Sequence, residues 1–179
     1  MKRCAQAQQG FTLVELVTIM IILGILSIAV YPRFQGSSGF SEFTYQARLV
    51  SALRSLQVQA MQDSRSNLCF QLNFVNGTAS PAFGVPTRDF SSANALNTCA
   101  GSIDFNASGS VGTRSIELND RGIELQAKDG TTAITSIGFT SMGRPITNQT
   151  SCANGCTVTF SNLETVSVCV KSQGYVHAC

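Results

Sequence analysis

Residues 11–31 read FTLVELVTIMIILGILSIAVY, an apolar run of 21 residues that carries a single charge, Glu15. As a helix rising 1.5 Å per residue, such a run spans roughly 32 Å, close to the hydrocarbon thickness of a bilayer. Pro32 and Arg33 follow it. Ahead of it stands MKRCAQAQQG, residues 1–10, which holds Lys2 and Arg3 and no apolar stretch. A secretory signal places its apolar core before the cleavage point, so this order is the reverse of one. The two positive charges predict a cytoplasmic N-terminus and an external remainder, and Arg33 opposes that only weakly.

Glu15 sets the chemical problem. A carboxylate inside an apolar span costs on the order of 2.5–3.5 kcal/mol at mid-membrane, and less near a helix end where it reaches the headgroups. Such a group wants a partner. Phe11 lies one helical turn upstream, and a cut after Gly10 gives Phe11 a charged amine.

The string Gly10-Phe11-Thr12-Leu13-Val14-Glu15, followed by a long apolar run with Pro32 at its end, resembles the prepilin signature of type IV pilins and type II secretion pseudopilins. The resemblance implies cleavage after Gly10 by a prepilin peptidase and methylation of the Phe11 amine by the same enzyme. It also implies a role for Glu15 in assembly, pairing with the Phe11 amine of an adjacent subunit. Pro32 is expected as a helix break. Gly24 and Ser27 are small enough to let neighbouring helices approach.

The four-residue patch at 36–39, Gly-Ser-Ser-Gly, is helix-poor and suits a kink or a hinge. Beyond it, Ser41 is a plausible N-cap with Glu42 in the first turn. Leu49, Ala52, Leu53, Leu56 and Ala60 or Met61 form an apolar stripe at helical spacing, with Arg48, Arg54, Gln57 and Asp63 free to point outward. The rest alternates as strands do, at 68–74, 115–118, 123–126, 133–140, 157–160, 166–171 and 174–177. Turn signals such as Asn76-Gly77, Asp129-Gly130 and Gln173-Gly174 separate them. Residues 76–112 read as a variable loop with short strands.

The expected fold is therefore α+β, a type IV pilin fold whose long N-terminal helix, half transmembrane and half amphipathic, packs on an antiparallel sheet. Its parts are a leader at 1–10, a transmembrane or filament-core helix at 11–32, an amphipathic continuation at 33–66 and a β-rich periplasmic head at 67–179. The stretch 137–145, with a strand and a cysteine-bearing hairpin after it, is similar to the heads of H-type pseudopilins and related minor pilins. With the N-terminal run, it most resembles the MshC-like minor pilins of the mannose-sensitive haemagglutinin pilus. That likeness implies a structural subunit supporting pilus assembly and attachment. The alternative it leaves open is a minor pseudopilin of a type II secretion system. A plain signal-anchored periplasmic protein is a third reading. The implied partners are prepilin peptidase, other pilin subunits and the inner-membrane assembly machinery. The implied location is single-pass in the inner membrane, then the extracellular filament.

Of seven cysteines, Cys4 falls in the leader. Cys69, Cys99, Cys152, Cys156, Cys169 and Cys179 remain, an even set in a segment expected outside the cytoplasm, which reads as disulfides. One set pairs 152 with 156, 169 with 179 across a hairpin, and 69 with 99, but spacing leaves the connectivity open.

Other chemistries lack their parts. Without Lys2 and Arg3, ten basic residues face ten acidic ones and no basic run is visible, which argues against nucleic acid as a partner. A zinc site needs close Cys or His pairs on two sides, and His177 is the one histidine; no metal or other cofactor is expected. No nucleophile elbow, P-loop or HExxH motif occurs, and Asp104, Glu117, Asp120 and Glu124 read as scattered surface charge. No enzymatic activity is expected.

Overall fold

In the computed structural model, residues 12–35, 40–63, 70–87, 100–106, 111–148 and 152–179 are described, the side chains of 28–35 excepted. The chain divides into two units, Met1–Ser38 and Gly39–Cys179. In the first, one helix, α1, runs from Leu13 to Gln35. Pro32 lies inside it rather than breaking it. A proline forgoes its own N–H bond and crowds the carbonyl of the preceding turn, yet here the helix continues for three residues beyond. The patch at 36–39 lies outside the described residues.

The second unit opens with α2, Ser41–Gln62. Ser41 is not its cap. Phe40 occupies that position without a side-chain bond, and the Ser41 hydroxyl donates instead to Glu42 at 3.0 Å. The apolar stripe is buried through Leu49, Ala52, Leu53, Leu56 and Ala60, with Tyr45 added, whereas Met61 faces solvent.

Among the described residues, nine strands form two antiparallel sheets. The first has the order β2-β1-β5-β6, built from β1 Gln71–Val75, β2 Ala82–Gly84, β5 Ser136–Phe139 and β6 Pro145–Thr147. The second has the order β4-β3-β7-β8-β9, from β3 Glu124–Asp129, β4 Thr132–Ala133, β7 Cys156–Ser161, β8 Thr165–Val170 and β9 Val176–Ala178. A bridge between Gly77 and Leu125 joins the end of β1 to β3. The expected strand at 133–140 is thus split between β4 and β5, which belong to different sheets. Residues 115–118 are turns, not a strand, and lead into a 3-10 turn at Asn119–Arg121. Only Leu118 of that stretch is buried. Its neighbour Glu117 folds the backbone back by accepting the Arg114 N–H at 3.0 Å.

Strands β7 and β8 alternate buried and half-buried residues along their lengths, as a strand with one core face must. Phe160 of β7 sits at the centre, with the Phe83 ring edge-on at 5.9 Å and the Tyr45 ring at 6.3 Å. Polar side chains of α2 bind sheet backbone around this core. Arg54, although exposed, and the half-buried Gln57 both reach back to sheet carbonyls. Arg54 donates two bonds to the Val176 carbonyl at 3.1 and 2.8 Å, and Gln57 donates to the carbonyls of Gly143 and Gly174, both at 2.8 Å. Gln46 donates to Ser167 O at 2.6 Å. Arg54 thereby covers an edge of the second sheet, where open backbone groups invite unwanted pairing.

Glu42 fastens the other end of α2. It is fully buried and accepts the N–H groups of Leu163 and Glu164, at 3.1 and 3.4 Å, from the β7–β8 turn. Burial pushes its pKa up, but its own backbone N–H, the Ser41 hydroxyl and the two turn N–H groups outweigh burial and hold it below the ordinary 4.5. A folded pKa below the unfolded one gives stability that is present above the unfolded value and lost as pH falls through the folded value. Glu42→Gln is therefore expected to destabilise the chain by about 1–3 kcal/mol at neutral pH, since one acceptor oxygen becomes a donor. In urea titrations the deficit should shrink as pH falls through the lowered folded pKa, where the wild-type carboxylate is itself protonated. A deficit that stays constant with pH contradicts the assignment.

Candidate functional site

The start of α1 is capped from within the sequence. The N–H of Glu15 donates to Thr12 Oγ1 at 3.3 Å, and the Leu16 N–H donates to the Thr12 carbonyl at 3.2 Å. Thr-x-x-Glu is the spacing of a capping box, with the threonine hydroxyl satisfying one of the free N–H groups of the first turn. The N-terminus of the helix is thus set two residues past the expected cut.

Beyond the cap, every large apolar side chain described on α1 is exposed, from 45% at Val17 to 79% at Leu13. They cover all sides of the helix, a pattern that belongs in lipid or among other helices rather than in water. The hydroxyls match that environment. Thr18 donates to the Glu15 carbonyl at 2.9 Å and Ser27 to the Leu23 carbonyl at 2.8 Å, so neither needs water. The Glu15 side chain is exposed and has no partner among the described residues. A Cβ built on Gly24 meets nothing within 4 Å, so that glycine leaves an open notch on the surface. Among the described residues no helix is long and apolar enough to cross a membrane, the side chains after Ser27 lying outside them. Gly10 and Phe11 also lie outside the described residues.

On the head, Cys152 is bonded to Cys156 with a Cα separation of 5.1 Å, and Cys169 to Cys179 with 5.9 Å. The Cys179 N–H donates to Ser167 O at 2.9 Å, so the second bond runs diagonally across the β8–β9 hairpin. In the chain-entropy account, loops this short contribute about 2–3 kcal/mol each. Cys69 and Cys99 lie outside the described residues. Asp129 meets Cys152 and Cys156 within 4.8 Å. The two sulfurs are consumed in the disulfide, and the Asp129 carboxylate accepts the Cys152 N–H at 3.1 Å, so the cluster braces a turn. His177 stacks on Tyr175 at 4.8 Å, and no hydroxyl or carboxylate is bonded to its buried Nδ1 among the described residues.

Glu117 departs from the reading as free surface charge. Its carboxylate accepts the Tyr45 hydroxyl at 3.2 Å and pairs with Arg48 at 3.1 Å. Burial raises its pKa, and the Arg114 N–H, the Arg48 charge and the Tyr45 hydroxyl more than offset that and lower it. The same burial and the Glu117 charge push the Tyr45 hydroxyl up. No pattern in the sequence marks this group, because its partners are about 70 residues away, on α2.

Residues 6–31 match the family model described as the prokaryotic N-terminal methylation motif. Two curated sequences, each a fimbrial protein of Pseudomonas aeruginosa, are 33% identical to the chain over 60 residues, covering 34% of this chain and 39% of the relative. The chain thus spans well under half the length of the curated relatives it matches. No solved structure matches.

Proposed function

We propose that this type IV pilin-like chain is a structural minor pilin, anchored by α1 in the inner membrane and then drawn into a filament through the same helix. Its α+β organisation, helix first and antiparallel sheets after, is consistent with the type IV pilin fold. It is a structural protein, not an enzyme. The observation that carries the reading is the coincidence of three features. The methylation motif falls on a helix apolar on all sides of its described length, the helix begins at Leu13 behind the Thr12 cap, and Glu15 is left without a partner among the described residues.

In this reading prepilin peptidase cuts after Gly10 and methylates Phe11, and the new amine meets Glu15 of an adjacent subunit. The Lys2 and Arg3 side stays cytoplasmic and the disulfide-bearing head is periplasmic, where oxidised cysteines persist. The filament is a surface pilus of the mannose-sensitive haemagglutinin type. The competing assignment, a type II secretion pseudopilin, predicts intact surface fibres and failed enzyme export on deletion. The pilus assignment predicts the opposite.

The intact mass of the chain purified from its native cell tests the processing step. A mass beginning at methylated Phe11 is expected. A mass beginning at Met1 would show a simple membrane-anchored protein and overturn the reading.

A further inference from the structure

The turns at 114–121 build a hollow that anchoring does not use. Arg114, Ser115, Ile116, Glu117, Asp120 and Arg121 surround about 700 Å³. A smaller hollow of about 150 Å³ shares Glu117 and Arg121 and reaches the first turns of α2. The loop is held firmly from below. Leu118 is its buried plug, the Asp120 N–H donates to Ile116 O at 2.9 Å, and the Ile123 N–H donates to Leu118 O at 3.0 Å. The Asn162 amide donates to Arg121 O at 2.8 Å. Glu117 ties the loop to Tyr45 and Arg48 on α2.

The charge balance is uneven. Glu117 is already neutralised by Arg48. The guanidiniums of Arg114 and Arg121 make no hydrogen bond or ion pair to any described residue. Two guanidiniums without a hydrogen bond or ion pair, the Arg121 charge acting on the Tyr45 hydroxyl, therefore line the hollow with one carboxylate, Asp120, and an Ile116 side chain that is 57% exposed. A guanidinium fork matches a carboxylate with two parallel bonds. A small ligand is normally enclosed on most sides by its pocket, whereas this hollow opens broadly to solvent. An apolar residue flanked by arginines on an ordered rim is the composition of a protein interface.

We propose that the hollow at 114–121 is a docking site for a carboxylate-bearing segment of a neighbouring pilin-type subunit, held by Arg114 and Arg121 and packed against Ile116. This rests on the filament reading above. An ordered loop limits the entropy lost on docking, so the contact adds specificity among subunits whose helices are alike.

The test uses the full-length chain in its native cell, with a photo-crosslinking residue at Ile116. Mass spectrometry is expected to find a crosslink to a pilin-type subunit, in a peptide containing Asp or Glu. Arg114→Glu with Arg121→Glu should lower its yield at least about tenfold. Leader removal should not change, and because the Arg121 charge also acts on Tyr45, the thermal midpoint of each variant is measured alongside the yield to separate lost docking from lost folding. Reversing the acid in the crosslinked peptide to Arg should restore the yield in that background. Arg114→Lys with Arg121→Lys, which keeps charge and loses the fork, should fall between. A crosslink unaffected by the charge reversals, or filaments that form normally without one, overturns the docking site while leaving the filament reading standing. Binding of an acidic sugar in the hollow, with no crosslink from Ile116 to a pilin-type subunit, overturns the protein partner. An unprocessed leader in the wild-type chain would instead sink the reading on which the site rests.

Discussion

Gly174→Ala is expected to cost about 3–5 kcal/mol, which for a domain of this size lowers the thermal midpoint by roughly 10–20 °C. Two causes add. Gly174 has φ of +93°, a region that side-chain-bearing residues enter at a cost of about 1–2 kcal/mol. A Cβ there also collides with the Gly143 carbonyl and the Gln57 amide. The collision cannot be relieved locally. Gln57 holds the carbonyls of Gly143 and Gly174 together, and these belong to the β5–β6 turn of one sheet and the β8–β9 turn of the other. Moving Gly174 away breaks both bonds, at about 1 kcal/mol each. Gly130→Ala is the control. Gly130 has φ of +59° with nothing within 4 Å of a built Cβ, so it carries the backbone cost alone. Equal losses in the two variants, measured by thermal unfolding of the mature chain, would show that the junction over Gln57 is loose.

That junction also marks where the sequence stops being informative. The α2 stripe was legible because Leu49, Ala52, Leu53, Leu56 and Ala60 repeat at 3.6-residue spacing, a local signal. Strands β7 and β8 were legible because their alternation is local too. Arg54 and Gln57 read as surface residues because their acceptors are backbone carbonyls about 120 residues downstream, and carbonyls leave no trace in a sequence. The same holds for residues 115–118, whose apolar spacing fits a strand but whose backbone is set by a carboxylate reaching α2. The split into two sheets depends on which strands meet at long range, which alternation does not encode. Pro32 shows the reverse error, a strong local signal that the surrounding helix tolerates. The methylation motif at 6–31 was visible because its signature is carried by adjacent residues. The arginine-lined hollow was invisible because Arg114, Arg121 and α2 meet only in the fold.

Glu15→Leu is expected to leave the chain processed and membrane-bound but to lower its incorporation into filaments by at least about tenfold, since each 1.4 kcal/mol is a factor of ten. Two terms act in the same direction. In the membrane, Glu15 carries a desolvation penalty of up to about 2.5–3.5 kcal/mol, reduced near the helix end. Leucine abolishes that penalty and so makes lipid the better place to stay. In the filament, the proposed pairing with a neighbour's Phe11 amine disappears, and that amine is left among apolar helices without its counter-charge. The helix itself should not suffer. The Thr12 cap bonds the backbone N–H of residue 15, which any non-proline residue supplies, and Leu is a good helix former. Glu15→Gln separates the two terms, because it stays polar and costly in lipid yet cannot neutralise an amine. If the charge pair dominates, Gln should assemble as poorly as Leu. If the membrane penalty dominates, Gln should assemble nearly as well as Glu. Equal incorporation of wild type, Gln and Leu, measured as the fraction of processed chain recovered in sheared filaments, would remove Glu15 from the assembly mechanism altogether.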